Sequence, residues 1–271
     1  MLAWTGDLHG DLFDLRSRVE NVEFFKEDGL DVEEDCLLVA GDFGFIWFNE
    51  DNSLYERQQK ELDEIEKLPI TIAFVDGNHE NFHELFKYPI EKWNGGKVHR
   101  IRKNIVHLMR GEIFNIQGKT IFAFGGAPSH DINGLATDEE LRKNYAAGVV
   151  DPGDSETIFK LRNEGLFYRT RGIGWWKEEM PTPAEMAHAL ENLDAYDNKV
   201  DIIITHEAPI QDLHRVSKYA IDPGADCHRL SEFLGKIKNK VDYEHWFFGH
   251  YHKNCQIDNT DEVGYWSVHI I

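Results

Sequence analysis

The feature that most constrains this chain is a polar block that recurs directly after short apolar runs. The run over residues 70–75 is β-branched, has the length of a buried strand and leads into Gly77-Asn78-His79-Glu80. Four other blocks share this design: Thr5-Gly6-Asp7-Leu8-His9-Gly10, Val39-Ala40-Gly41-Asp42, Ile204-Thr205-His206-Glu207 and Phe248-Gly249-His250-Tyr251-His252. One such block would be a weak signal. Five of them indicate a fold that brings its strand ends together.

Between these blocks the chain alternates apolar runs with longer amphipathic segments. Leucines and valines recur every three to four residues over 12–25, and Leu62 and Ile65 share one face of segment 54–68, which predicts two helices. The order up to Asn78 is strand, helix, strand, helix, strand, which is typical of an α/β sheet. Such sheets bind ligands beyond the carboxyl ends of their strands. We therefore expect the first three polar blocks to meet at one edge of a sheet.

The rest of the chain is predicted to complete one domain over residues 1–271. Short apolar runs from 98 to 124 are separated by turn-like pairs, which predicts a meander of hairpins. Residues 127–200 are interpreted as an inserted or elaborated segment with helices at about 138–145, 155–163 and 183–193. Its Trp175-Trp176 pair is assigned first to core packing and second to a wall over the site. A helix over 227–237 and a closing strand over 263–271 are also expected.

Composition narrows the classes of function. The chain has 49 Asp plus Glu against 29 Lys plus Arg, a formal net charge of −20. This charge repels a phosphate backbone and argues against nonspecific nucleic-acid binding, so a phosphate site here would need local positive charge such as metal ions. Three cysteines without CxxC spacing argue against a disulfide framework or a thiolate zinc site. Because we find no signal-peptide pattern and no membrane-spanning apolar run, we expect a cytoplasmic protein with no membrane partner.

Seven residues at the predicted strand ends form a mixed oxygen and nitrogen ligand set. They are two carboxylates, one amide and four imidazoles: Asp7, His9, Asp42, Asn78, His206, His250 and His252. Mn²⁺, Fe²⁺ and Zn²⁺ accept such ligands, whereas Mg²⁺ and Ca²⁺ sites rarely use imidazole. Seven ligands are too many for one ion and suit two ions roughly 3.5–4 Å apart that share a carboxylate. The sequence therefore predicts two divalent metal ions, with Mn²⁺ placed first and Fe²⁺ or Zn²⁺ as alternatives.

With these blocks in this order, the sequence resembles the calcineurin-like metallophosphoesterase superfamily. The segment from Gly125 to Asp131, together with Trp175-Trp176 and Glu179-Met180-Pro181, resembles an uncharacterised bacterial and phage-associated group of these phosphoesterases. The resemblance implies a metal-dependent hydrolase that acts on phosphate ester bonds. It also implies an α/β (α+β) fold of four layers, two mixed β-sheets flanked by helices.

The resemblance further implies a role for each residue of the blocks. Asp7, His9, Asp42 and His252 would bind one metal ion, and Asp42, Asn78, His206 and His250 the other, with Asp42 bridging. A metal-bridging hydroxide would attack the phosphorus of a phosphomonoester. His79 would contact the scissile phosphate and protonate the leaving oxygen as general acid, a role that suits an imidazole.

One departure from the superfamily concerns the phosphate clamp. The protein Ser/Thr phosphatase branch follows its second block with Asp-Arg-Gly, but here Asp42 is followed by Phe43-Gly44-Phe45, so the clamping arginine is missing. Arg142, Lys143, Arg169 and Arg171 are candidates to replace it. Solvated surface charge is the alternative interpretation for each of the four.

Three functions remain in competition at the level of the sequence. The first is hydrolysis of a small phosphorylated molecule or a phosphoprotein. The second is a phosphodiesterase acting on cyclic nucleotides or nucleic-acid ends, which would use the same metal core. The third is a non-catalytic metal-binding module of the same fold, against which the complete ligand set argues. The sequence leaves the oligomeric state open.

Overall fold

The first large sheet carries the first three polar blocks. The computed structural model describes residues 1–129, 148–217 and 228–271. Four parallel strands form the centre of this sheet: β1 (Leu2–Thr5), β2 (Cys36–Val39), β3 (Thr71–Phe74) and β6 (Ile105–Leu108). Antiparallel strands complete its edges: β15 (Val268–Ile270) beside β1, and β5 (Gly96–Arg102) and β4 (Ile90–Trp93) beyond β6. The carboxyl ends of β1, β2 and β3 therefore lie side by side.

The second large sheet carries the last two polar blocks. Its parallel strands are β8 (Lys119–Phe124), β11 (Ile202–Thr205), β12 (His245–Phe248) and β14 (Asp261–Val263). Antiparallel β7 (Ile113–Ile116) and β13 (Cys255–Gln256) form its edges. A separate parallel pair joins β9 (Val149–Val150) to β10 (Arg169–Thr170). The blocks after β11 and β12 are neighbours at one edge of this sheet.

Helices cover the outer face of each sheet. The described helices are α1 (Leu12–Phe24), α2 (Tyr55–Glu66), α3 (Phe82–Leu85), α4 (Ser155–Glu164), α5 (Pro183–Ala195), α6 (Leu213–Val216) and α7 (Arg229–Lys240), with a 3₁₀ turn at Lys177–Glu179. Asp11 caps α1 by accepting a hydrogen bond from the Asp14 amide, and Thr182 with Glu185 forms a capping box on α5. The apolar faces of α1 and α2 pack on the first sheet, and those of α5 and α7 on the second.

The two sheets pack against each other through a buried apolar layer. Trp4 of the first sheet stacks on Phe247 of the second, with ring centroids 4.4 Å apart. The order of layers is helix, sheet, sheet, helix. This confirms the predicted α/β class with two mixed sheets flanked by helices.

One predicted substructure was partly wrong. Residues 98–124 do form hairpins, but β5–β6 belongs to the first sheet and β7–β8 to the second, so they are not one meander. The reason is that β6 pairs in parallel with β3, a long-range contact that local turn signals cannot indicate. The chain crosses between sheets near Gly111, whose φ of +81° and close approach to Ala189 exclude a side chain.

The other predicted elements form within a few residues of their expected bounds, with two exceptions. The helix at about 138–145 lies outside the described residues. The closing strand predicted over 263–271 is shorter than expected, because Val263 ends β14 of the second sheet and only residues 268–270 form β15 of the first. The single domain with an inserted segment at about 127–200 stays a prediction. In the described part of the chain, no helix is both long and apolar enough to cross a bilayer.

Candidate metal centre

All five polar blocks lie at the carboxyl ends of parallel strands, where the two sheets meet. Backbone contacts tie the blocks to one another. The His250 amide donates a hydrogen bond to Asp7 Oδ1 at 3.0 Å, and the His79 amide donates to Asp42 Oδ1 at 2.8 Å. His9 Nε2 and His252 Nε2 lie 3.1 Å apart. Residues separated by up to 243 positions in the chain thus share one site.

The side chains form three groups of the size that holds a metal ion. Within each group the candidate ligand atoms lie within 4.8 Å of one another: Asp7, His9 and His252; Asp7, Asp42 and His206; and His9, Asp42 and His79. Asp7 and Asp42 each belong to two groups. By its position, either carboxylate could bridge two ions. His79 also lies close enough to the other side chains to be a ligand.

Three buried atoms in this cluster have no hydrogen-bond partner among the described residues. They are Asp7 Oδ2, Asn78 Oδ1 and His206 Nε2. Leaving such atoms buried and unsatisfied costs stability, and native proteins rarely do so. All three belong to predicted ligands and carry the lone pairs that a cation accepts. The donor set therefore fits divalent metal ions.

The orientation of His206 is fixed by the strand end of β2. Its Nδ1 lies 2.6 Å from the Ala40 carbonyl oxygen, which can only accept, so Nδ1 donates and Nε2 faces the cluster. Burial would lower the pKa of His206, but Asp42, with Oδ1 3.3 Å from Nε2, outweighs it and raises the pKa to about 10. The site thus favours positive charge at Nε2, which a metal ion supplies as well as a proton does.

Asp42 is the carboxylate with the strongest electrostatic support. Burial alone would raise its pKa, but His206, His79 and His9 outweigh burial and hold the pKa of Asp42 well below its ordinary value. It is 1 % exposed and remains an anion. A buried anion surrounded by imidazoles is the arrangement expected where a cation is shared.

Four of the seven predicted ligands have left-handed backbone conformations. The φ angles are +49° at His9, +48° at Asp42, +69° at His250 and +49° at His252. Such conformations are uncommon outside glycine and cluster at functional sites, where the surrounding structure compensates their cost. The strained backbone therefore turns these side chains towards the cluster rather than along the strand direction.

Glycines next to the ligands leave room for them. A Cβ at Gly77 would lie 2.0 Å from Asp42 Oδ1 and 2.7 Å from His206 Nε2, and a Cβ at Gly41 would lie 2.1 Å from His206 Nδ1. No side chain fits at these distances. The glycines in the blocks are thus explained by close approach of ligands from neighbouring strands.

A family comparison agrees with this arrangement. The family model described as calcineurin-like phosphoesterase matches residues 2–254, nearly the whole chain. The chain belongs to the calcineurin-like phosphoesterase family. Membership confirms the family predicted from the sequence.

Comparison with solved structures gives a weaker likeness. A Staphylococcus aureus protein, described as a candidate 5′-nucleotidase in complex with alpha-ketoglutarate, matches with a TM-score of 0.49 and 13% sequence identity. The match covers 98% of this chain and 49% of that one, so this chain spans about half the length of its match. No curated protein sequence matches significantly.

Two buried glutamates support the candidate metal centre, and the sequence patterns assigned them no role. The Glu80 carboxylate accepts hydrogen bonds from the Phe43 and Gly44 amides, which fixes the loop after Asp42. Glu207 accepts from the Ala208 amide and from Tyr251, and its Oε2 lies 3.8 Å from His250 Nε2. Burial raises the pKa of both carboxyl groups. The only signal in the sequence was their place directly after predicted site residues.

A third support links Asn78 to the predicted inserted segment. Asn78 Nδ2 lies 3.5 Å from Ser129 Oγ. Ser129 in turn donates two hydrogen bonds to the Glu179 carboxylate, from its backbone amide at 2.9 Å and from its hydroxyl at 2.7 Å. Trp175 Nε1 donates to the same carboxylate at 3.0 Å. This chain of contacts orients Asn78 so that Oδ1 is left for the cluster. The link was not predicted because it joins positions 50 and 51 residues apart.

The candidate phosphate clamps are only partly described. Arg142 and Lys143 lie outside the described residues. Arg171 pairs with Asp151 at 2.7 Å and lies over the Trp175 ring, which is the behaviour of a surface charge. Arg169 donates to the Gly174 carbonyl and lies close enough to Glu179 to oppose the rise that burial causes in the pKa of that carboxyl group. A clamping role stays a prediction for Arg169.

Proposed function

We propose that this protein is a binuclear metal-dependent phosphoesterase that hydrolyses a phosphomonoester. The observation that carries the proposal is the meeting of three buried atoms at the strand ends of both sheets: Asp7 Oδ2, Asn78 Oδ1 and His206 Nε2. None of them has a hydrogen-bond partner within the described part of the chain. Two divalent ions bound there supply charge neutralisation at the phosphate and activation of water. We place Mn²⁺ first, with Fe²⁺ or Zn²⁺ as alternatives, because the ligand set is rich in imidazole.

The ligands are divided between two positions in this proposal. Asp7, His9, Asp42 and His252 would hold one ion, and Asp42, Asn78, His206 and His250 would hold the other. Asp42 is the shared carboxylate because His206 on one side and His9 on the other both keep it ionised. The proximity of His252 Nε2 to Asp7 Oδ2, at 3.3 Å, supports the first group.

His79 holds a proton for the leaving group in this proposal. Its backbone amide is anchored on Asp42, and its ring meets the His9 ring edge to face with centroids 5.1 Å apart. The ring therefore stands beside the cluster at a fixed angle. From there it can donate a proton to the oxygen that departs from phosphorus.

We propose a small phosphorylated molecule or a phosphoprotein as the substrate. The net charge of −20 opposes long nucleic acids, and no membrane partner is proposed. The test is hydrolysis of p-nitrophenyl phosphate and bis-p-nitrophenyl phosphate, measured side by side with Mn²⁺, Fe²⁺, Zn²⁺ or chelator. Chelator-sensitive turnover that favours the monoester supports the proposal. Preference for the diester would replace it with the phosphodiesterase, and no turnover with any metal would favour the binding module.

The variant His79→Asn tests whether His79 acts as the general acid or as a metal ligand. We expect His79→Asn to retain both metal ions and to lose about 10²–10⁴-fold in kcat, the usual contribution of a positioned acid. Metal content by elemental analysis and kcat on butyl phosphate, whose alkoxide must be protonated to leave, measure the two effects. The exposed His214 supplies the control, since His214→Asn touches neither function. Loss of one metal ion from His79→Asn would make His79 a ligand and refute the assignment.

A further inference from the structure

A groove runs from the metal centre along the loop that follows Asp42. It has a volume of about 430 Å³, within the range of small-molecule sites. One end is formed by His9 and His79, and the walls include Phe45, Trp47, Phe48 and Leu54. We call this the aromatic groove. Neither the ligand set nor the proposed acid accounts for its aromatic walls.

Hydrogen bonds and ring packing hold the walls of the aromatic groove in place. Gln58, 5 % exposed, accepts hydrogen bonds from the Trp47 and Phe48 amides at 2.6 and 2.7 Å, and donates to the Phe48 carbonyl at 3.2 Å. Asn81 donates to the Trp47 carbonyl at 2.7 Å. The buried Trp176 packs edge to face on Trp47 with centroids 5.3 Å apart. Trp47 and Phe48 remain half-buried, so they are fixed and still accessible to a ligand.

The aromatic groove is also lined by charged side chains, whose charges nearly cancel. Arg57 and Glu61, one turn apart on α2, pair at 2.9 Å. Among the described residues that line the groove, Arg57 is the one lysine or arginine, and its partner offsets its charge. The groove therefore offers no excess positive charge for a second phosphate. It suits an uncharged group with a flat apolar face and polar edges.

We propose that the aromatic groove binds the leaving group of the substrate, and that this leaving group carries a planar aromatic ring. The inference rests on the proposed function, because a general acid at His79 must face the departing oxygen. The groove opens at His79, so the rest of the alcohol extends along Trp47 and Phe48. A ring of a nucleobase or of an aryl group stacks on such side chains. The substrate class is a phosphomonoester whose alcohol bears a ring within reach of Trp47.

Two matched pairs of substrates test the proposal. Adenosine 5′-monophosphate and ribose 5-phosphate have the same reacting end and differ by the base. Benzyl phosphate and butyl phosphate leave as similar alcohols and differ by the ring. We expect kcat/KM to be about 10-fold or more higher for the ring-bearing member, the usual size of a base-stacking contribution. Preference within the first pair alone assigns the ring to a nucleoside, and within the second pair alone to an aryl group.

Variants locate the preference in the aromatic groove. Trp47→Leu and Phe48→Leu keep apolar volume but remove the aromatic face, so the ratio of kcat/KM for the preferred pair should fall at least about 5-fold. Phe24→Leu is the control, because Phe24 is 84 % exposed at the far end of α1 and lines no described part of the groove. Metal content confirms that each variant retains its fold.

The possible results distinguish failure of the groove assignment from failure of the proposed phosphoesterase activity. Hydrolysis of all four esters without preference overturns the groove assignment and leaves the phosphoesterase standing. A preference that survives both leucine variants also overturns it, because the ring must then bind elsewhere. No hydrolysis of any ester with any of the three metals overturns both.

Discussion

The candidate metal centre leaves no room for an additional carbon atom at Gly77. The position lies between Asp42 and His206, the pair whose interaction fixes the charge of the cluster. The φ angle of Gly77 is one that other residues adopt. Glycine is required because there is no room for a Cβ atom at this position. The requirement therefore belongs to the ligands on neighbouring strands and not to the turn itself.

We expect Gly77→Ala to displace Asp42 or His206 and to lower metal affinity and kcat/KM by about 10–100-fold, as for other changes that disturb ligand orientation. Isothermal titration with Mn²⁺ measures the affinity. Gly153→Ala is the matched control, since a Cβ there meets nothing within 4 Å. Normal Mn²⁺ affinity in Gly77→Ala would show that Asp42 and His206 are not ligands in this arrangement.

Glu179 gives a residue-scale prediction that depends on pH. Burial raises its pKa to about 7, although hydrogen bonds from Ser129 and Trp175 oppose the rise. The folded protein therefore binds a proton at Glu179 more tightly than the unfolded chain, whose carboxyl has an ordinary pKa near 4.5. Stability from this group is present below pH 4.5 and is lost as the pH rises to about 7.

The free energy of unfolding should thus fall from pH 5 to pH 8 by up to about 3 kcal/mol more in the wild type than in Glu179→Gln. Urea denaturation of chelated protein at several pH values measures this. The cost of charging Glu179 is absent from the glutamine variant, so its curve is the reference. Parallel pH curves for the two proteins would contradict the assignment.

At the scale of elements, a buried arginine joins a helix to the strand end that carries Asp7. Arg18 of α1 is 3 % exposed and donates to Thr5 Oγ1 and to the carbonyl oxygens of Gly6, Asp7 and Tyr265, at 2.7 to 3.1 Å. It also pairs with Asp14. One guanidinium therefore satisfies the strand end of β1 and the segment before β15. Helical periodicity did not predict it, because a charged residue on a helix usually faces solvent.

Because lysine has one nitrogen and cannot reach these acceptors together, Arg18→Lys should leave buried carbonyls unsatisfied. We expect a loss of about 2–4 kcal/mol in the free energy of unfolding. Arg16→Lys, at an exposed pair with Glu64, should change it by less than about 0.5 kcal/mol. Urea denaturation measures both effects. Equal effects of the two substitutions would contradict the stabilising role of the Arg18 hydrogen bonds.

At the scale of the whole molecule, the candidate centre lies where the two sheets meet. Candidate ligands come from β1, β2 and β3 on one side and from β11 and β12 on the other. Bound ions would therefore connect two sheets that also pack through the apolar layer around Trp4 and Phe247. Because the site exists only in the folded chain, metal binding adds to the free energy of folding.

Chelation should therefore lower the thermal midpoint, and Mn²⁺ at 100 to 1,000 times its Kd should restore about 3–4 kcal/mol of stability. Differential scanning calorimetry with and without Mn²⁺ measures the change. Asp42→Asn should abolish most of the Mn²⁺ effect because the shared carboxylate is lost. A midpoint that is independent of Mn²⁺ in the wild type would mean that no ion connects the sheets.

The sequence by itself determined the fold class, the family and the candidate ligands, because each of these is carried by local information. Short apolar runs predict the buried strands, and a polar block directly follows each of the five runs that lead to the site. Since parallel strands end at a common edge, the meeting of Asp7, Asp42 and Asn78 followed from the order of elements.

Only the tertiary structure decided how the centre is supported and what surrounds it. The split of the hairpins between two sheets, the bracing by Arg18, the link from Glu179 through Ser129 to Asn78 and the aromatic groove all depend on contacts between residues distant in the chain. The left-handed conformations at His9, Asp42, His250 and His252 have no local signature either. They are imposed because packing and long-range hydrogen bonds outweigh local backbone preference, and a sequence pattern records only that preference.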